Sequence, residues 1–239
     1  MISALSLLLA AGMQVQTPAV DLDQLVQASN RLRYTLPEST THLGFRAEKG
    51  AGSIREARRG GAEHAQFRRD DMLSLETFND GKRLITLEFD RRIYSDLART
   101  APAATYEEAV KEPLDELKED QFDMRFESGR GLVLRSRPAI QVLNDEPSVT
   151  VEGEERRRLT CRVDRPGDAT TDNPMTVDFR VLIDRTGLIR KIEGEMKSKK
   201  EGDMTFLFTC DPAVPADEPF TFDVSRLKDW TKASTGSGS

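Results

Sequence analysis

Residues 175–183 read Met-Thr-Val-Asp-Phe-Arg-Val-Leu-Ile, and Asp184-Arg185-Thr186-Gly187 leads on into Leu188-Ile189-Arg190-Lys191-Ile192. Successive side chains of a strand point to opposite faces, so Met175, Val177, Phe179, Val181 and Ile183 share one face, opposite Thr176, Asp178, Arg180, Leu182 and Asp184. Arg185-Thr186-Gly187 turns the chain back, and Leu188, Ile192 and Met196 share one face of the return strand. Met204, Phe206 and Phe208 line a further strand. A sheet with these faces either packs on a helix as an ordinary core or curls around a cavity that holds a ligand.

Toward the N-terminus the same period recurs. Leu43, Phe45 and Ala47 alternate with His42, Gly44, Arg46 and Glu48, and strands are expected at 53–59, 64–70, 73–78, 82–89 and 93–98. Asn79-Asp80-Gly81 is a strong hairpin signal, and connections this short imply antiparallel pairing. Two helical patterns interrupt the strands. In residues 21–34, Leu22, Leu25, Val26, Ser29 and Leu32 lie on one stripe behind Asp21 as N-cap. In residues 105–121, Thr105 and Glu108 form a capping box, and Pro113 kinks or restarts the helix. Strands are expected again at 132–137, 139–143, 149–152 and 156–164, before a polar loop from Pro166 to Pro174.

The 239 residues are 37% hydrophobic and 32% charged with a net charge of −6, values of a globular protein without the basic excess of a nucleic-acid binder. The 2 His and 2 Cys, with no CxxC or HExxH pattern, provide no zinc-ligand set. His42 and His64 both lie in strands, away from any nucleophile elbow, so no catalytic residue, metal or cofactor is assigned. A hydrolase would need a carboxylate pair assembled from distant strands. The basic clusters Arg55–Arg59 and Arg156–Arg158 either attract anionic head groups or an acidic partner, or keep an outer strand face soluble.

Ile2 to Met13 is one uncharged apolar run, too short for a bilayer core of roughly 30 Å. It reads as a secretory signal peptide over residues 1–19, without a permanent membrane anchor, followed by a single domain over 20–230 and a disordered Gly/Ser-rich tail over 231–239. Export places the chain in a periplasmic or extracellular compartment, where Cys161 and Cys210, in phase with their apolar neighbours, are expected to form a disulfide. The alternative is a pair of buried thiols that never meet.

In layout and in short runs the chain resembles the LolA/LolB/RseB family of exported lipoprotein carriers and envelope-stress sensors. The runs are the opening helix around Leu25 and Val26, the hairpin Phe78-Asn79-Asp80-Gly81-Lys82 leading to Tyr94, Val181 to Ile192, and Phe220-Thr221-Phe222-Asp223-Val224. The resemblance implies an α+β, mainly antiparallel β fold: an unclosed β-barrel of about ten or eleven strands, a curved sheet with a helical lid. It further implies a non-enzymatic, monomeric protein that holds an acyl lipid or lipoprotein, or an adaptor that binds envelope or membrane proteins. Val177, Phe179, Val181, Ile183, Ile192, Met196, Phe206 and Phe208 would line the cavity, and Leu22, Leu25, Val26 and Leu32 would face it from the lid.

Overall fold

An extended chain of alternating apolar and polar residues hides its apolar face only against a second layer. The computed structural model describes residues 20–98, 105–111, 114, 116, 122–127, 130–165, 174–199 and 202–233. Helix α1 (Leu22–Thr35) starts where Asp21 accepts a hydrogen bond from the Gln24 N–H, and it stops before Pro37. Six strands follow: β1 (Glu38–Ala47), β2 (Gly50–Arg59), β3 (Ala62–Arg69), β4 (Met72–Asn79), β5 (Arg83–Glu88) and β6 (Ile93–Ala98). After a single helical turn, α2 (Tyr106–Ala109), come β7 (Phe122–Glu127) and β8 (Gly131–Ser136). The chain then forms β9 (Gln141–Val151), β10 (Glu154–Arg165), β11 (Met175–Ile183), β12 (Ile189–Ser198) and β13 (Met204–Asp211). A C-terminal strap ends in β14 (Thr231–Lys232).

The fold is mainly β, with an unclosed sheet of 12 strands in the order β14-β6-β5-β4-β3-β2-β1-β13-β12-β11-β10-β9. All its pairings are antiparallel except that of β14 with β6. β7 and β8 form a separate two-stranded sheet. The turns follow the sequence: Gly81 at φ +84° and Gly187 at φ +92° take the left-handed positions, and Asp80 and Asp184 accept the neighbouring backbone N–H groups.

The large sheet is covered on opposite faces in its two halves. Over β10–β13 and β1, α1 and the β7–β8 hairpin bury the face that carries Leu159, Val177, Phe179, Ile192 and Phe208. Over β4–β6 a second core of Phe78, Ile85 and Leu87 lies on the other face, packed by Phe222, Val224, Leu227 and Trp230 of the strap. Thr40, Arg55, Arg59 and His64 hydrogen-bond to this strap between Ala213 and Glu218.

Several expectations need correction. The strands expected at 139–143 and 149–152 are parts of one strand, β9 (Gln141–Val151), whose pairing with β10 carries two register shifts. β7 was not anticipated, because Phe-Asp-Met-Arg-Phe-Glu follows a helical pattern without turn residues. The 105–121 helix is described only over Tyr106–Ala109, and much of the remainder lies outside the described residues, as do the signal segment and the 166–173 loop. Thr231 and Lys232, assigned to the tail by composition, pair with Ile93 and Tyr94, while residues 234–239 lie outside the described residues.

The disulfide is overturned, since Cys161 and Cys210 are both free and buried. They share a face, yet β11 and β12 separate their strands. Three inter-strand steps of ~4.8 Å give roughly 14 Å, twice the ~7 Å limit for bridging Cα atoms. Burial pushes the Cys161 thiol up to about 12 and the Cys210 thiol up to about 11, so neither is a ready nucleophile. Thiol titration without reductant should find both cysteines masked in the native protein and both reactive in denaturant. Thiols that appear only after reduction would restore the bridge.

Candidate ligand site

The face selected from sequence assembles as one surface. Val177, Phe179, Val181, Ile183, Ile192, Met196, Phe206 and Phe208 are each 0–8% exposed and belong to one core with Leu22 and Val26 of α1. Leu25 and Leu32 are partly buried against it. Phe179 and Phe206 have ring centroids 6.4 Å apart, and Phe122 of β7 stands 6.2 and 6.4 Å from them, closing an aromatic triangle between hairpin and sheet. Gly194 is required beneath it. A Cβ there would lie 2.4 Å from the Asp178 carbonyl oxygen and 2.7 Å from the Phe206 ring. In this state the chain's own helix and hairpin occupy the space over the sheet.

Polar side chains on the buried side of α1 fix this cover. Asn30 donates to the Leu132 carbonyl oxygen at 2.7 Å and accepts from the Leu132 N–H at 3.2 Å, binding helix to hairpin. Gly131, at φ +96°, allows the approach, because a Cβ there would lie 2.5 Å from the Asn30 Oδ1. Ser29 accepts from the Ile189 N–H at 2.8 Å, which joins helix to sheet. Arg33 meets Glu56 of β2 at 2.8 Å, with their side chains 2% and 0% exposed, and its guanidinium lies 5.5 Å from the Phe126 ring centroid. Burial draws the Arg33 guanidinium down, but the charge and hydrogen bond of Glu56 reverse this and raise it. Sequence placed Ser29 on the helix stripe. Nothing in it distinguished Arg33 from the other basic residues, because its partner lies across the fold.

The other polar constellations are structural. Arg55, Arg58 and Arg59 pair with Glu218, Glu63 and Glu38, while Arg156, Arg157 and Arg158 pair with Glu154, Asp145 and Glu146. Both basic clusters are thereby neutralised within the chain, and Arg157 and Arg158 are cross-strand ties between β9 and β10. His64 is 2% exposed, with Nδ1 2.5 Å from Glu218, Nε2 2.8 Å from Glu76, and its ring stacked on Phe78 at 4.6 Å. These two carboxylates converge on a buried ring rather than on an open cleft. Burial pulls the half-buried His42 down, with Arg55 adding to the effect. Among the described residues no cluster of three or more His, Cys, Asp or Glu is placed to hold a metal ion.

Two of the spaces open among the described residues bear on ligand binding. One, of about 300 Å³, lies within the cover between α1, α2 and β8. The other is a groove of about 930 Å³ on the polar face of the large sheet, with Gly44, Ser53, Thr160 and Thr205 in its lining and exposed Leu143 and Leu207 beside them.

No protein-family model and no curated protein matches this sequence. Solved structures similar to the chain include the following two. One is a chain of the Pseudomonas aeruginosa MucA/MucB complex, at 16% identity over 84% of this chain, with a TM-score of 0.35. This chain spans 62% of the length of that one. The other is a DUF1329 family protein from Desulfovibrio piger, at 10% identity over 87% of this chain and 100% of that one, with a TM-score of 0.24. Among the described residues no helix is long and apolar enough to cross a membrane.

Two measurements check the latch and the strap. Arg33→Ala should cost about 3–5 kcal/mol in chemical denaturation, because it strands a buried carboxylate, whereas Arg33→Met with Glu56→Leu should cost far less. The strap should respond to acid. Burial alone would raise Glu76 and Glu218, but hydrogen bonds from His64 and Gln66 to the first, and from Arg55 and His64 to the second, hold both below the usual range. A depressed carboxyl contributes stability above its unfolded value, about 4.3 for Glu, and loses it as pH falls through the folded value. Hydrogen exchange should therefore show the strap opening below about pH 4 before the β10–β13 core does. Simultaneous opening of both would contradict this assignment.

Proposed function

We propose that the protein is an exported, non-enzymatic, monomeric carrier that binds an acyl lipid or lipoprotein on the apolar face of β10–β13 when its cover lifts. One observation carries this reading. The cover lies over a continuous apolar surface, and its β7–β8 strands pair only with each other, outside the large sheet. Helix and hairpin are joined through Asn30 and Leu132, so a movement of both together, hinged at Leu36-Pro37 and at residues 137–140 between β8 and β9, breaks no strand ladder. Burying a ten-methylene chain gains about 8 kcal/mol at ~0.8 kcal/mol per methylene. That gain offsets apolar contact that the sheet face loses when the cover lifts, while opening returns the Arg33–Glu56 pair to water. A ligand on this surface replaces contacts that the cover makes in the closed state.

The open polar-face groove favours a second reading, an adaptor that holds an envelope protein there. A fluorescent fatty-acid analogue separates the two. Carriage predicts saturable binding, displaced by unlabelled lipid, that tightens several-fold in folded Arg33→Ala, because the buried Glu56 carboxylate that loses its cation gains water when the cover opens. A charged residue at Phe179 is a poor probe, since that side chain is 2% exposed in the core. Absence of saturable binding in both the wild type and this variant sinks the carrier reading and leaves the adaptor.

A further inference from the structure

The cover contains a cavity of its own. Its lining comes from α1, the 106–114 segment and residues 130–135 around β8, with no residue of the large sheet. Val26, Tyr106, Leu132 and Leu134 form buried apolar walls, with Leu114 beside them. A volume of about 300 Å³ is at the lower end for small-molecule sites and suits one short aliphatic chain rather than several.

Arg31 supplies the polar end. Its guanidinium lies 5.4 Å from the Tyr106 ring centroid and pairs with Glu107 at 3.1 Å, and the two side chains are 54% and 66% exposed. An ion pair so open to water is worth at most about 1 kcal/mol, so Arg31 can exchange Glu107 for the anionic group of a ligand at little cost. Asp23 also lines the cavity, where burial, with the nearby Asp21 adding to it, holds its carboxyl above the usual range.

We propose that this cavity binds the single aliphatic chain of an anionic amphiphile, with its carboxylate or phosphate on Arg31. Such a ligand touches α1 and β8 together, so it braces the joint that Asn30 makes between them. This site is separate from the sheet face of the carrier reading and stands or falls independently of it.

Calorimetric titration with decanoate, below its micelle concentration, tests the proposal on the full chain. Saturable binding is expected, weaker by about tenfold, 1.4 kcal/mol, for uncharged decanol and for Arg31→Glu. Acetate and inorganic phosphate, which present the head group without the chain, should give no heat, and a decyl phosphate should bind as decanoate does. Leu114→Trp, which fills the cavity without touching the sheet, should abolish binding in a variant that keeps wild-type circular dichroism. Arg33→Ala loosens the other seam of the cover and should leave this affinity unchanged. Decanoate binding that persists in Leu114→Trp, or that follows the Arg33 change instead, assigns the ligand to the sheet face and overturns the proposal. Equal binding of acetate and decanoate overturns it as well, because the chain would then contribute nothing.

Discussion

A single layer of 12 strands has two faces, and every apolar stretch of either must be covered from outside the layer. The chain meets this constraint by changing sides part-way across. The change is visible at β2, where consecutive residues Glu56 and Ala57 are 1% and 0% exposed although their side chains point to opposite faces. Glu56 receives Arg33 from α1, and Ala57 pairs with His64, which the strap holds through Glu218. Helix, hairpin and strap are thus three answers to one packing requirement.

The two coverings differ physically. The strap crosses its core with irregular backbone, a 3-10 turn at Val224–Arg226 and aromatic contacts such as Phe222 on Phe78, and it ends in a strand that joins the sheet. Charged groups tie it down near its start. The opposite cover has a regular helix and a closed two-stranded ladder, and discrete polar ties at Ser29 and Arg33 join it to the sheet. Buried ties of this kind specify one docked position more sharply than apolar packing does, and they are costly to leave half-made.

Much of the architecture was legible because it is local. The β6 limits at Ile93 and Ala98, the Asn79-Asp80-Gly81 hairpin and the Met175–Ile183 strand follow from side-chain alternation and turn chemistry within a few residues. The apolar face of β11 and the stripe of α1 were readable for the same reason. Arg33, Asn30 and Gly131 were not, since their roles depend on partners 23 to 102 positions away in the sequence. The basic clusters left two readings open for the same reason: the partners of Arg157 and Arg158, Asp145 and Glu146, are brought opposite them only by strand pairing.

The sequence by itself determined most of the strands, their turns, the opening helix and which side chains share a face, because each depends on backbone geometry with a period of two or of about 3.6. Only the tertiary structure decided what those faces meet. Cys161 and Cys210 have the phase for a bridge and lack the position, because sharing a face says nothing of how many strands lie between. The apolar face of β10–β13 could equally have lined an empty cavity or a filled core. It is filled, because α1 and the β7–β8 hairpin reach it first, and the space left within that cover is a property of three elements packed together that no single stretch of chain encodes.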